Sequence, residues 1–175
     1  MLSNLCSASY SSLMKFRFSL FSVLLLSLVA LLAACKKDDK TTPDYTAQDE
    51  ATIQQYIKDK GLTGFVRDTS GVYVGITQPG TGPNAKDKQR LQVLYTGTTL
   101  DGTVFDSNTT TVGLPFVLGQ SLVIPGWNKG FRYFNKGAKG ILLIPSSQAY
   151  GTSGSGTTIG ANAVLRFDVE VVDIK

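Results

Sequence analysis

The sequence has 175 residues and a formal charge of +4, with 42% of its residues apolar and 18 glycines. That is enough for one packed domain with an appendage, and too apolar for a disordered chain. It contains no histidine, which excludes Ser-His-Asp and Cys-His catalysis, histidine-bound metals and histidine pH switches. The two cysteines, Cys6 and Cys35, lie near the N-terminus, so the rest of the chain can carry neither a disulfide framework nor a cysteine-rich zinc site.

Phe18 to Ala34 carries no charge over 17 residues, marginal against the ~20 that span a bilayer. Lys15 and Arg17 precede it and Ala33-Ala34-Cys35 closes it, which is the pattern of a secretory signal. Leu32-Ala33-Ala34-Cys35 resembles a bacterial lipobox. That resemblance implies cleavage before Cys35, diacylation of its thiol and often acylation of its amine. Two or three acyl chains anchor stably where one is marginal. An uncleaved anchor, or a plain secretory signal with a chance cysteine, stays open beside it. Met14 offers a conventional start, MKFRF. Lys36-Lys37-Asp38-Asp39-Lys40 reads as solvated linker or, by resemblance, as the surface-export signal of Bacteroidetes lipoproteins. Without Lys15 and Arg17, fifteen bases face thirteen acids. A charge near +2, with no basic run interleaved by aromatics, gives no reason to expect nucleic-acid binding.

Residues 36–45 are polar, contain Pro43 and read as a flexible tether. Thr46 to Lys60 then predicts a short helix, with Thr46 as cap, Asp49 in the first turn and Gly61 as its stop. Ile53, Tyr56 and Ile57 form a narrow apolar stripe, so this helix needs a partner surface. From Gly71 the period becomes two: Val72, Val74 and Ile76 alternate with Tyr73 and Gly75. Arg90–Thr98 places Leu91, Val93 and Tyr95 on one face, and Leu100–Thr103 turns the chain into Val104-Phe105-Asp106. Pro125 to Phe134 has helical spacing of Trp127, Phe131 and Phe134. Lys139–Pro145 is a short apolar run. Val164–Ile174 alternates Leu165, Phe167, Val169 and Val171 inward with Arg166, Asp168 and Glu170 outward. Strands joined by Gly/Pro turns predict an antiparallel sheet with one wet face, and the class is α+β, a curved sheet wrapped on one short α-helix, with an added N-terminal helix. The expected divisions are a signal peptide at 1–34, a lipidated tether at 35–45, a helix and connector at 46–69, and the working domain at 70–175.

The Gly-rich stretch 151–158 lacks the lysine of a phosphate-binding loop and the spacing of a dinucleotide fingerprint, so it reads as a mobile loop. Ser146 and Ser147 have no histidine to activate them. Spacing leaves a two-carboxylate hydrolase open, though nothing supports one. What stands out is an apolar and aromatic set: Tyr95, Phe105, Phe116, Val123, Ile124, Trp127, Tyr150, Ile159 and Phe167. On pattern alone such residues are core.

Their arrangement changes that weight. Val93-Leu94-Tyr95-Thr96-Gly97, Asp101-Gly102-Thr103-Val104-Phe105-Asp106-Ser107, Pro115-Phe116-Val117-Leu118-Gly119, Val123-Ile124-Pro125-Gly126-Trp127, Ile144-Pro145, Ala149-Tyr150-Gly151 and Leu165-Arg166-Phe167-Asp168-Val169-Glu170-Val171 follow one another in order. In this order, over residues 93–175, they resemble the FKBP-type peptidyl-prolyl cis-trans isomerases. The resemblance implies that the set lines one pocket. Trp127 is its floor, Tyr95, Phe105 and Phe167 are its walls, and Asp106 is a carboxylate at its edge. Phe116, Val123, Ile124 and Ile159 flank the substrate, while the Ile124 N–H and the Tyr150 hydroxyl grip its carbonyls. The Phe105–Pro115 loop and the 151–160 loop depart from the family's short members, so the floor is better defined by the resemblance than the rim. It further implies an isomerase of X–Pro bonds with no cofactor and no metal, acting on proline-containing polypeptides; the lipobox resemblance adds that these would be proteins of the cell envelope. The site of action would be the outer membrane, reached through the lipid on Cys35. A non-catalytic peptide-binding or chaperone module, and an adhesin using the domain as scaffold, are the rival readings.

Overall fold

The computed structural model describes residues 45–120 and 122–175. The expectations for the signal peptide, for Cys35 and for the tether up to residue 44 lie outside them. The first element is helix α1, Thr46–Asp59, with Tyr45 as its N-cap residue. Thr46, expected as the cap, is instead the first helical residue, and Tyr45 makes no side-chain capping bond; Asp49 stands in the first turn as expected, but its carboxylate turns to Ser146, far along the chain. The C-terminus follows expectation. Gly61 takes φ +60°, its N–H donates to the Lys58 carbonyl, and the Leu62 N–H donates to the Ile57 carbonyl. This is the paired closure that lets a left-handed glycine satisfy the last carbonyls.

Seven strands follow: β1 Phe65–Arg67, β2 Tyr73–Gln78, β3 Arg90–Thr99, β4 Val104–Asn108, β5 Leu114–Val117, β6 Lys139–Ile144 and β7 Leu165–Ile174. They form one open antiparallel sheet in the order β1-β2-β6-β7-β3-β4, with β5 also paired to β3. The long β3 pairs with β7 along Leu91–Thr99, and on its other edge with β5 and then β4. Two strands escaped the sequence reading. β1, in the stretch read as connector, and β5, noted only as part of a family motif, are too short for periodicity to register.

Between β5 and β6, α2 spans Pro125–Gly130 and runs into a 3₁₀ turn, Phe131–Tyr133. Proline at the first helical turn loses no hydrogen bond and presets φ. Trp127, Phe131 and Phe134, expected on one side, are all buried against the sheet. The main core therefore lies between α2 and one face of the sheet, where Leu91, Val93, Leu142, Ile144, Leu165, Phe167, Val169 and Val171 meet it.

The opposite face is not simply wet. Ile53 of α1 is fully buried in a second cluster with Tyr73, Ile141, Leu143 and Val164, with Tyr56, Ile57 and Leu62 packed against it. α1 thus covers β2 and β6 from outside. That is why the Lys139–Pro145 run is nearly all apolar: β6 is buried on both faces, as strands of double-covered sheets are. The uncovered part of this face keeps polar residues, including the Lys139–Glu170 ion pair at 2.9 Å.

Candidate active site

A cavity of about 470 Å³ opens between α2, β3, β4 and the end of β7. Trp127, on the second residue after Pro125, is 4% exposed and stands under it. Rings pack around the indole edge to face: Tyr95 at 4.9 Å between centroids and 82°, and Phe167 at 5.4 Å and 82°. Phe105 extends this wall, 5.5 Å from Phe167 at 83°. Offset and perpendicular arrangements suit the ring quadrupoles, so the walls hold their shape without a bound partner.

Local backbone details aim these groups. β3 and β4 lose register between Gly97 and Thr98: Gly97 faces Asp106, Thr98 faces Val104, and Phe105 is the extra residue. A bulge of this kind re-aims side chains, and here the consecutive Phe105 and Asp106 both reach the cavity. Gly97 matters for a second reason. A Cβ there would come within 2.6 Å of the Phe105 ring and 2.9 Å of the Phe167 ring, so only glycine lets both lie across β3.

The polar groups are few. The Tyr95 hydroxyl donates to Asp106 Oδ2 at 2.7 Å. Burial first, and then this bond to Asp106, push the Tyr95 phenol well above the usual tyrosine range, so it stays a neutral donor. The Trp127 indole Nε1 is buried and meets no acceptor among the described residues, so the ring serves the pocket as an apolar floor that carries one unpaired donor. Asp101 is not part of the site. The Thr99 hydroxyl and the Thr103 N–H hold its carboxylate in the β3–β4 turn and keep its pKa below the ordinary value. Among the described residues no cluster of His, Cys, Asp or Glu could hold a metal.

Of the ten residues expected at the pocket, eight line this cavity: Tyr95, Phe105, Asp106, Val123, Ile124, Trp127, Tyr150 and Phe167. Two do not. Phe116 is buried behind the floor, 5.6 Å from Trp127 and 5.3 Å from Phe131. Ile159 is 6% exposed and belongs to the main core. Its stretch, read as a mobile loop, folds back on itself: Ser155 and Ile159 exchange both backbone hydrogen bonds, at 2.8 and 3.1 Å. The sequence reading missed Leu114 and Leu122, which also line the cavity. Leu114 alternates with the noted Phe116 and was open to discovery; Leu122, fully exposed, stands at the rim where no periodicity marks it.

The comparisons agree with this geometry. Residues 82–172 match the sequence profile of the FKBP-type peptidyl-prolyl cis-trans isomerases. The chain is 35% identical over 143 residues to the isomerase FkpA of Escherichia coli K12, covering 82% of this chain and 51% of that protein. It is 36% identical over 116 residues to the outer membrane protein MIP of Legionella longbeachae, covering 66% of this chain and 49% of that one. The chain thus spans about half the length of the curated relatives it matches. A crystal structure of a peptidyl-prolyl isomerase from Pseudomonas syringae superposes with a TM-score of 0.62 at 31% identity, covering 74% of this chain and 96% of that one. An aromatic cavity floored by a lone tryptophan, on this sheet and with this sequence profile, leads to one assignment: the chain belongs to the FKBP-type peptidyl-prolyl cis-trans isomerase family.

Proposed function

We propose that the chain is a peptidyl-prolyl cis-trans isomerase acting on X–Pro bonds of unfolded or folding proteins in the cell envelope, held to a membrane by lipid on Cys35. The observation that carries the reading is the cavity itself. It is within the size range of small-molecule sites, aromatic on its floor and walls, with Asp106 and two tyrosine hydroxyls as its polar side chains. No acid or base is needed for the reaction. The amide barrier of ~18–20 kcal/mol comes from resonance that plants partial double-bond character in C–N. The planar amide is the more charge-separated form, and the twisted transition state has lost that resonance. A water-poor apolar pocket disfavours the planar form relative to the twisted one, and contacts that fit the twisted geometry add differential stabilisation.

In this reading the proline ring sits on Trp127 between Tyr95, Phe105 and Phe167. The Ile124 N–H and the Tyr150 hydroxyl take the substrate carbonyls, and Asp106 orients Tyr95. Phe116 and Ile159 act from behind, by holding the floor and the 151–160 hairpin. The outer membrane name of one relative supports the envelope location, and the Leu32–Cys35 motif supports the anchor.

The test is cis-to-trans relaxation of a Leu-Pro or Phe-Pro peptide, followed with and without the chain. The expected result is a catalysed rate that Phe105→Ala sharply reduces. A rate equal to that in buffer overturns the enzyme and leaves the cavity as a peptide-binding surface.

A further inference from the structure

The family match begins at residue 82, so α1, β1 and β2 precede it. α1 nevertheless bonds the segment that leads into the pocket. Asp49 is 3% exposed, and its Oδ2 accepts both the backbone N–H of Ser146 at 2.8 Å and the Ser146 hydroxyl at 2.7 Å. Ser146 is itself 2% exposed and opens the 3₁₀ turn Ser146–Gln148 that follows β6. This turn has two neighbours in the site. Through Ala149 it leads to Tyr150, which lines the cavity. It also lies against α2: a Cβ on Gly126, the residue before Trp127, would meet the Gln148 carbonyl oxygen at 3.2 Å and Ile144 Cγ2 at 2.4 Å.

We infer that Asp49 is a positioning residue for the substrate pocket, acting through Ser146 on the turn that leads to Tyr150 and packs against α2 at Gly126, next to Trp127. One carboxylate oxygen that accepts from both the backbone and the side chain of Ser146 fixes that residue's conformation as well as its place. Charge-assisted bonds of this kind are the stronger ones, and losing the acceptor strands two buried donors. The packing of α1 is a separate matter. Ile53 fills the cluster over Tyr73, Ile141, Leu143 and Val164 and has no part in the Ser146 link. The two contributions of the helix can therefore be removed one at a time. The inference rests on reading the cavity as the isomerase site.

The experiment compares Asp49→Ala, Asp49→Asn, Ser146→Ala and Ile53→Ala in the full chain. Two readouts are taken: kcat and KM on a proline peptide, and acrylamide quenching of Trp127, the only tryptophan in the sequence. Asp49→Ala is expected to lower kcat/KM roughly tenfold, mostly through KM, because small misplacements of a positioning group are costly. Trp127 should become more accessible to quencher in the same variant. Asp49→Asn keeps an acceptor oxygen and should recover most of both. Ser146→Ala should change them in the same direction, and its combination with Asp49→Ala should do no more than Asp49→Ala alone. The inference is overturned if Ile53→Ala, at an equal loss of melting temperature, reproduces the KM and quenching changes. It is also overturned if Asp49→Ala leaves both at wild-type values. Should Asp49→Ala fail to fold, wild-type KM and quenching in Ser146→Ala overturn it instead. If the wild-type chain shows no isomerase activity, the functional reading fails, while Trp127 quenching still decides the positioning role.

Discussion

Tyr95 joins two tasks in one residue. Its ring is a wall of the cavity, and its hydroxyl is tied to Asp106. Burial and the Asp106 bond raise its pKa above the ordinary value of about 10 that it regains on unfolding. Below that value both states hold the proton and the contribution is intact. Above it the unfolded chain loses the proton while the native one keeps it, so stability falls as pH rises. Tyr73, raised by burial and by its bond to Glu50, adds to the same alkaline loss. We expect the melting temperature to decline from about pH 10 upward, and Tyr95→Phe to make the decline shallower without abolishing it. Thermal melts between neutral and strongly alkaline pH check this; equal slopes in both proteins would show that Tyr95 is not held protonated by the fold.

At the scale of elements, α1 shows how a weak helix is made secure. Its stripe of Ile53, Tyr56 and Ile57 is narrow, and helices this short are marginal alone. Burial of Ile53 against β2 and β6 supplies the apolar part. Polar links complete the attachment. Glu50 accepts from Arg67 at 2.8 Å and from Tyr73, and Tyr56 accepts from Arg166 at 3.0 Å. Burial opposes ionisation of Glu50, but its bonds from Tyr73, Arg67 and Gln54 outweigh that and hold its pKa below the ordinary carboxylate value. Ile53→Ala leaves a cavity beneath the helix and should cost about 2–5 kcal/mol. Urea unfolding measures it; a cost under about 1 kcal/mol would mean that the surrounding side chains collapse into the gap or that α1 adds little to the fold.

For the whole molecule, sheet and helices divide the work. α2 and the inner face make the cavity, whereas α1 closes the outer face over β2 and β6. α1 is also the first described element after the stretch read as the tether, so chain arriving from an anchor at Cys35 would enter the domain through the helix that carries Asp49. The anchor predicts that the protein fractionates with membranes and that Cys35→Ser releases it without loss of peptide isomerisation. Mass spectrometry of the mature N-terminus should find acylated Cys35; an unmodified N-terminus at another residue rejects the lipoprotein reading.

The sequence by itself determined what depends on local pattern. The alternation from Leu165 to Val171, the proline-led turn carrying Trp127, and the glycine stop at Gly61 are each written in a few adjacent residues, and each formed as read. The order of the aromatic motifs identified most of the cavity, because a family's spacing records its tertiary contacts. Only the tertiary structure decided the rest. Whether an apolar residue faces the cavity or the core, as with Tyr95 against Phe116, depends on which strand lies beside it and where the register breaks. The second face looked wet because covering it takes a helix distant in sequence. Asp49 looked like a helix-start residue because its partner, Ser146, is 97 positions away. Periodicity carries information across a turn or two of chain; a hydrogen bond between segments brought together by folding leaves no trace in it.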